Sequence, residues 1–285
     1  MRAGRSFAAF ILSHGRPHDV VTFTSLRDAG YTGRIILLVD NEDKYAPIYC
    51  EKFGAENVIV FDKTVIAQTF DTGDNTSERL AIVFARNASF SIARDLGLDY
   101  FIQLDDDYKD FGYRTKNKGV LLESPVRSMD AVFDAMLDFL DDSGVLTVAF
   151  SQGGDHLGGA STFDKLKVKR KAMNSFFFKT TNGIDFVGRL NEDVNTYVTQ
   201  GARGLIFLTL LRLQLVQGKT QHTPGGMSAV YLDTGTYLKS FYTVMMAPSC
   251  TTIVMMGQTH RRLHHRIQWN NAVPKIIAPM YCKAV

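Results

Sequence analysis

Three consecutive aspartates, Asp105, Asp106 and Asp107, follow the apolar run at 99–104. Neighbouring carboxylates repel one another, and each is costly near a core unless a positive charge lies among them. If the chain stays extended, Asp105 and Asp107 point to the same side. Their oxygen atoms then suit a divalent cation whose other ligands are phosphates and water. The alternative is a turn with solvated acids, because Asp is common in turns.

Basic residues concentrate in two segments. Residues 234–285 contain no Asp or Glu, and they carry Lys239, Arg261, Arg262, Arg266, Lys275 and Lys283. The second cluster consists of Lys165, Lys167, Lys169, Arg170, Lys171 and Lys179. Such patches suit phosphate-bearing partners. The alternative is a basic face that contacts only solvent.

The elements that must position these residues follow from the apolar pattern. In the first 150 residues, short apolar runs alternate with amphipathic stretches, which predicts βαβ units and a mostly parallel sheet. The predicted buried strands are 6–12, 34–40, 57–61, 99–104 and 145–150. Helices are predicted to end at Gly30 and Gly97, and a third has an apolar face from Val126 to Leu140. Ligands bind at the carboxyl ends of strands in such sheets, which is where the aspartates lie.

The second half has weaker α+β patterning. Strands are predicted at 174–179 and 204–216, and helices at 191–204 and 233–246. We expect one continuous α/β domain over residues 1–285 with an elaborated α+β C-terminal portion.

Membrane and disulfide-rich classes do not fit the sequence. No uninterrupted apolar stretch reaches the roughly 18 residues of a membrane span. The short run Phe7–Leu12 has no small-residue cleavage site after it, so it predicts a first strand and not a signal peptide. Cys50, Cys250 and Cys282 are widely spaced, which indicates reduced thiols and a cytoplasmic location.

The segment ARNASFSIARDLGLDYFIQLDDD resembles the one that leads into the DxD motif of GT-A-fold glycosyltransferases. In that family an Arg-Asn pair on a helix precedes a strand that ends in Asp-x-Asp. The counterparts here are Arg86, Asn87, Asp105 and Asp107.

Three further segments carry the same resemblance. AFILSHGRP resembles the nucleotide-binding first strand, and LLVDNED resembles the second strand, whose terminal acid contacts the nucleoside. That acid is Asp40 or Asp43 here. RLNEDVNTY resembles the acceptor-side Glu-Asp motif of inverting members, which places Glu192 and Asp193 at a helix start.

More narrowly, ILSHGRP, ARNASFSIA, LDDDY, LNEDVNTY and HHRIQWNNAVPKI together resemble the phage-type, TET-associated glycosyltransferases. These GT-A enzymes glycosylate hydroxymethylated pyrimidines in DNA. The resemblance implies a GT-A-like (Rossmann-like) fold, a UDP-sugar donor, Mn²⁺ or Mg²⁺, and double-stranded DNA that carries 5-hydroxymethylpyrimidines. Residues 1–150 would bind the nucleotide-sugar and residues 151–285 the acceptor.

The resemblance also implies roles for single residues. A metal ion held by Asp107 and Asp105 would neutralise the leaving diphosphate. Asp193, with Glu192 as neighbour or substitute, would take the proton of the acceptor hydroxyl, which favours inversion. The alternative for this acidic pair is helix capping. The expected nucleotide contacts are Ser13, Arg16, Asp40, Arg86, Asn87, Asp105 and Asp106.

The C-terminal segment would add a metal ligand and DNA contacts. His260 and His264 are four residues apart, so one helical face could carry both. The resemblance implies a metal-binding histidine here, either His264 or His265. Trp269 is expected to be a core anchor, or otherwise a stacking platform. The expected contacts to DNA or diphosphate are Arg261, Arg262 and Arg266, and the expected DNA phosphate track is Lys165, Lys167, Lys169, Arg170 and Lys171.

Three other functions stay open. A GT-A enzyme with a saccharide or protein acceptor would share the donor site. A sugar nucleotidyltransferase would want a glycine-rich loop after the first strand, where LSHGRPHD has one glycine. In a non-catalytic DNA-binding module, three clustered acids would repel the DNA phosphates, which argues against that function.

Overall fold

A computed structural model describes residues 4–74, 80–163, 171–218, 237–257, 261–272, 279 and 282. The strands are β1 (Phe7–Leu12), β2 (Arg34–Asp40), β3 (Val58–Phe61), β4 (Tyr100–Asp105), β5 (Tyr108–Asn117), β6 (Val120–Pro125), β7 (Thr147–Ser151), β8 (Ser175–Lys179), β9 (Phe207–Gln217), β10 (Thr251–Met256) and β11 (Arg262–Ile267). The helices are α1 (Val21–Asp28), α2 (Ala46–Phe53), α3 (Lys63–Ala67), α4 (Val83–Asp95), α5 (Met129–Ser143), α6 (Ala160–Phe163), α7 (Glu192–Ala202) and α8 (Tyr237–Met246).

The main sheet has nine strands in the order β3-β2-β1-β4-β8-β7-β9-β5-β6. Within it, β5 and β8 run against the direction of the other strands. Strands β10 and β11 form a separate antiparallel ribbon. The α/β class and the mostly parallel sheet predicted from the sequence are therefore confirmed.

Hydrophobic layers cover both faces of the sheet. Phe7, Ala9 and Ile11 of β1 join a core that includes the buried face of α5. The alternate residues of β1 face a second core, formed with α4 and α7. This alternation is the period of two expected for an extended strand with both faces buried.

Most predicted elements match the observed ones within a few residues, including α7, α8, β8 and β9. The third predicted helix begins at Met129, so Val126 precedes it. Several elements lay outside the prediction: the hairpin β5–β6, the ribbon β10–β11, and helices α2, α3 and α6. Among the described residues, no helix is long and apolar enough to cross a membrane.

Of the conformations considered from the sequence, the extended form of the aspartates and the helical form of the histidine segment are not the ones observed. Strand β4 ends at Asp105 and a turn follows, so Asp105 and Asp107 do not continue one extended strand. The segment with His264 and His265 is strand β11 and not a helix, whereas His260 lies outside the described residues. Because side chains alternate along a strand, the side chains of His264 and His265 leave the backbone on opposite faces of β11.

Candidate active site

Three parallel strands end at the same edge of the sheet. In the register of β1 and β4, Leu12 pairs with Asp105, and β2 ends at Asp40 on the other side of β1. The residues that follow these ends therefore meet: Ser13 and His14 after β1, and Asp106 after β4. Because parallel strands place their carboxyl ends together, this edge is where an open sheet binds ligands.

Arg86 of α4 joins this edge to helix α7. Its Nη2 lies 2.9 Å from Oδ1 of Asp105, and its Nε lies 3.1 Å from Oε1 of Glu192. The side chain is fully buried and lies over the ring of Phe176. A buried guanidinium is stable only with such anionic partners, and Asp105 and Glu192 raise the pKa of Arg86 against the effect of its burial.

The acids are crowded, which raises their pKa values. Burial raises the pKa of Asp105 to about 8, with Arg86 opposing and Asp107 and Glu192 adding to the rise. Burial also raises the pKa of Glu192 despite its pairing with Arg86. More carboxyl groups meet here than one guanidinium can neutralise, so the protonated form of Asp105 is favoured unless a further cation is bound.

Asp106 is held by the loop after β1. Ser13 donates a 2.6 Å hydrogen bond to Oδ2 of Asp106, and Nη1 of Arg16 lies 3.3 Å from Oδ1. Tyr49 of α2 contacts the Ser13 hydroxyl at 2.8 Å and accepts the backbone N–H of Arg16 at 2.8 Å. Burial raises the pKa of Asp106 to about 6. The structure thus brings the predicted residues Ser13, Arg16 and Asp106 together and adds Tyr49.

Asp107 has one engaged and one open oxygen. Gln217 at the end of β9 donates to Oδ2 at 3.2 Å. Oδ1 is buried and has no hydrogen-bond partner among the described residues. An unpartnered buried carboxylate oxygen is costly unless a cation or donor reaches it, so Asp107 fits the role of metal ligand. The described residues contain no group of three or more His, Cys, Asp or Glu side chains arranged to hold a metal ion.

Asp40 belongs to a buried charge network that sequence reasoning only partly found. His14 Nδ1 lies 2.6 Å from Oδ2 of Asp40, and Lys63 Nζ lies 3.0 Å from Oδ1. Lys63 is 2% exposed. Asp43 accepts the backbone N–H of Gly15 at 2.6 Å. Lys63 was missed because a lysine after a strand carries no pattern that distinguishes it from a surface lysine.

Asn87 holds a loop. Its side chain donates to the Phe186 carbonyl at 3.0 Å and accepts the Phe186 N–H at 2.8 Å. With both amide groups engaged, Asn87 fixes the chain that leads to α7, while Arg86 fixes its first turn.

The acidic pair occupies the first turn of α7. Glu192 is bound to Arg86, whereas the Asp193 carboxylate makes no hydrogen bond to a described residue. Before them, Asn191 adopts a left-handed conformation with φ of 55°. Its amide donates to the Lys239 carbonyl at 2.9 Å and lies 3.1 Å from Nδ1 of His265. Asn191 therefore fixes α8 and β11 against the start of α7.

The two histidines of β11 are both partly buried and both lie near Lys239. Burial, His264 and Lys239 lower the pKa of His265 to about 4. Burial and nearby cations also lower the pKa of His264. Both imidazoles are therefore neutral at pH 7, which is the form that binds metals.

The predicted DNA contacts are only partly described. Lys165, Lys167, Lys169 and Arg170 lie outside the described residues. Lys171 forms a 2.9 Å ion pair with the buried Asp155. Arg261, Arg262 and Arg266 are exposed on or beside β11. Trp269 is not a core anchor, because it is 39% exposed and stacks on Tyr197.

Comparison with known proteins identified one matching family. A family model described as TET-Associated Glycosyltransferase matches residues 7–226. A search of curated proteins found no match.

Solved structures with similar folds include two bacterial proteins. Glucosyl-3-phosphoglycerate synthase from Mycobacterium tuberculosis, in complex with Mn²⁺, uridine diphosphate and phosphoglyceric acid, is 10% identical with a TM-score of 0.49. That alignment covers 93% of this chain and 88% of the synthase. S. aureus TarS 1–349 is 12% identical with a TM-score of 0.44. The alignment covers 76% of this chain, which spans 61% of the TarS chain.

Proposed function

Because the chain belongs to the TET-associated glycosyltransferase family, it is a glycosyltransferase, and we propose that its acceptor is the hydroxyl of a 5-hydroxymethylpyrimidine in DNA. The proposed donor is a UDP-sugar, bound with Mn²⁺ or Mg²⁺. Residues 1–150 bind the donor and residues 151–285 bind the acceptor. The proposed location of the protein and of the reaction is the cytoplasm.

The observation that carries this proposal is the double ion pair of Arg86. It brings the end of β4, with Asp105, and the first turn of α7, with Glu192, to the two sides of one guanidinium. A donor diphosphate at the strand end and an acceptor hydroxyl at α7 would therefore lie in one site. Glycosyl transfer needs this proximity of a leaving group and a nucleophile.

Asp107 is the proposed metal ligand, because its Oδ1 is buried without a partner among the described residues. The bound cation would supply Lewis-acid stabilisation of the leaving diphosphate. Asp105 holds Arg86, and the crowding of its carboxylate with Asp107 favours a cation at this edge. His264 or His265, as a neutral imidazole, is the proposed further ligand.

Asp193 is the proposed base. A base must be free to accept the proton of the acceptor hydroxyl as the new C–O bond forms. Glu192 is occupied by Arg86, whereas Asp193 makes no hydrogen bond to a described residue. A single displacement with Asp193 as base would invert the anomeric centre. Glu192 then serves to fix the turn that carries Asp193.

The loop after β1 is the proposed nucleotide contact. Ser13 and Arg16 are positioned by Asp106 and Tyr49, so their orientation is set before the donor binds. Asp40 is bound by His14 and Lys63, and this network shapes the same loop from the β2 side. Exposed arginines in a segment free of acids favour a polyanionic acceptor.

A turnover assay with Mn²⁺, a panel of nucleotide-sugars and three DNA substrates tests the proposal. The substrates are unmodified DNA and DNA with 5-hydroxymethylcytosine or 5-hydroxymethyluracil. Mass spectrometry of digested nucleosides should show a sugar on a modified base and none on unmodified DNA. Hydrolysis of nucleotide-sugar without any DNA product would indicate that the acceptor is a saccharide or a protein.

A further inference from the structure

Trp269 is the single tryptophan of the chain, and it lies on the surface beside α7. Its ring stacks on that of Tyr197, with centroids 5.6 Å apart and planes 16° from parallel. Tyr197 is 6% exposed and Trp269 is 39% exposed. Tyr197 thus stacks against the indole from the protein side, while more than a third of Trp269 stays accessible to solvent.

The stack lies one helical turn from the proposed base. Tyr197 and Asp193 are four residues apart on α7, and such residues share a helix face. Burial and the Asp193 charge both raise the pKa of Tyr197, in agreement with that proximity. On the other side, His265 of β11 contacts Asn191, which immediately precedes the helix.

The turn that carries Trp269 is fixed by its own contacts. The N–H of Gln268 donates to the Cys250 carbonyl at 2.7 Å. Ala272 is 2% exposed, and a Cβ added to Gly201 of α7 would lie 3.1 Å from its carbonyl oxygen. The turn therefore packs closely on α7, and the indole is held in place before any ligand binds.

The chain that leads to Trp269 is positively charged. Arg262 and Arg266 are exposed and lie on the same face of β11, because side chains alternate along a strand. No Asp or Glu occurs from residue 234 to the end of the chain. A planar aromatic surface beside cations, in a segment of the chain that has no acids, suits a ligand that combines a flat ring with phosphate, which is a nucleic-acid strand.

We propose that Trp269 is the stacking platform for the acceptor pyrimidine, with Tyr197 behind it and Arg262 and Arg266 on the adjoining phosphates. This proposal rests on the proposed function and names how the same site holds its DNA. A base inside a duplex has both faces covered by its neighbours. Stacking on Trp269 therefore requires the acceptor base to leave the helix or to lie in a single strand.

The emission of the single tryptophan reports on this position alone. Wild-type protein is titrated with a short duplex that contains one 5-hydroxymethylcytosine, and with the same duplex carrying an abasic site there. Stacking should quench the emission with the first duplex and leave it nearly unchanged with the second. Equal responses to both duplexes, or no quenching by a duplex that is glycosylated, would overturn the proposal.

Variants separate stacking from folding. Trp269→Ala should raise the KM for DNA by roughly 5- to 150-fold, the range for loss of one base–aromatic stack, while nucleotide-sugar hydrolysis without acceptor stays unchanged. Trp269→Phe should restore most of the affinity. Tyr237→Ala removes another exposed aromatic residue, 60% exposed, and should leave the KM unchanged. An unchanged KM in Trp269→Ala would contradict the stacking role of Trp269 but not the proposed acceptor. Absence of any transfer to DNA by wild-type protein would contradict the proposed DNA acceptor itself.

Discussion

The Nε atom of Arg86 lies 3.1 Å from Oε1 of Glu192, although 106 positions separate the two residues in the chain. The same guanidinium reaches Asp105 at 2.9 Å. One fully buried cation thus connects helix α4, the end of strand β4 and the first turn of α7. The position of the proposed base, Asp193, depends on this connection.

Replacing Arg86 by Met should lower the free energy of unfolding by about 3–5 kcal/mol, because two buried carboxylates lose their counter-charge. Urea denaturation measures this change. Glu123→Gln is the matched control, since it breaks the 2.7 Å pair with Arg114 in which Glu123 is 41% exposed. That control should cost at most about 1 kcal/mol. Wild-type stability in Arg86→Met would contradict a structural role for the buried pair.

Asp107→Asn should abolish metal binding and lower kcat by about 10²- to 10³-fold, because stabilisation of the leaving diphosphate is lost. The fold should persist, since an amide oxygen can still accept the hydrogen bond from Gln217. Calorimetric titration of Mn²⁺ in the presence of UDP measures binding, and a chelator should suppress wild-type transfer reversibly. Asp110→Asn, an exposed acid three residues further along, should behave as wild type. Retained Mn²⁺ binding in Asp107→Asn would disprove the metal assignment.

Asp193→Asn should lower kcat by about 10²- to 10⁴-fold with little change in the KM for donor, because it removes the proton acceptor alone. Glu192→Gln should weaken stability as well, since it disturbs the Arg86 pair. Single-turnover rates and thermal unfolding of both variants separate the two roles. If Asp193→Asn keeps the wild-type rate and only Glu192→Gln loses it, Glu192 is the base.

Local sequence patterns predicted the elements that bury apolar residues on both faces. The runs that became β1, β2 and β4 are continuous and apolar, so period and length alone define them. The hairpin β5–β6 was missed because much of it is exposed and polar, which leaves no hydrophobic signal. The ribbon strand β11 was mistaken for a helix because its spaced histidines fit a period of four as well as an extended chain.

In the candidate site, too, residues with a local sequence signal were predicted and those placed only by the fold were not. The aspartates and the Glu-Asp pair were found because acids at a strand end and a helix start are visible in the sequence. Their partners were not assigned as pairs, since a contact such as Arg86 with Glu192 depends on how distant elements pack. Lys63 and Tyr197 carry no local signal at all, and only the fold places them beside Asp40 and Trp269.

Acid should remove the stabilisation that comes from Asp40. Burial alone would raise the pKa of Asp40, but His14 and Lys63 lower it overall. Stabilisation is therefore present above the unfolded pKa of about 4 and is lost as pH falls through the lower folded value. Asp40→Asn should lower the free energy of unfolding by about 3 kcal/mol at pH 7. The difference from wild type should hold down to about pH 5 and shrink as pH falls below about 4.

Urea unfolding at several pH values measures this difference. Asp142→Asn changes an exposed acid at the end of α5 and should stay within about 0.5 kcal/mol of wild type throughout. A constant difference between Asp40→Asn and wild type over the whole pH range would show that the charge of Asp40 is not what stabilises the network.

Neutralising Arg262 and Arg266 together should weaken DNA binding and flatten its dependence on salt. Removing one arginine–phosphate interaction should reduce the slope of log K against log salt by about 0.9, so removing two should reduce it by about 2. Fluorescence anisotropy of a labelled duplex at several salt concentrations measures the slope.

The matched control removes Arg34 and Arg94, two exposed arginines that lie at the amino end of β2 and in the last turn of α4. They lie at the sheet edge opposite the site, so this pair lowers the net charge equally but should leave the slope near the wild-type value. If both double variants flatten the slope alike, net charge and not the β11 surface governs DNA binding.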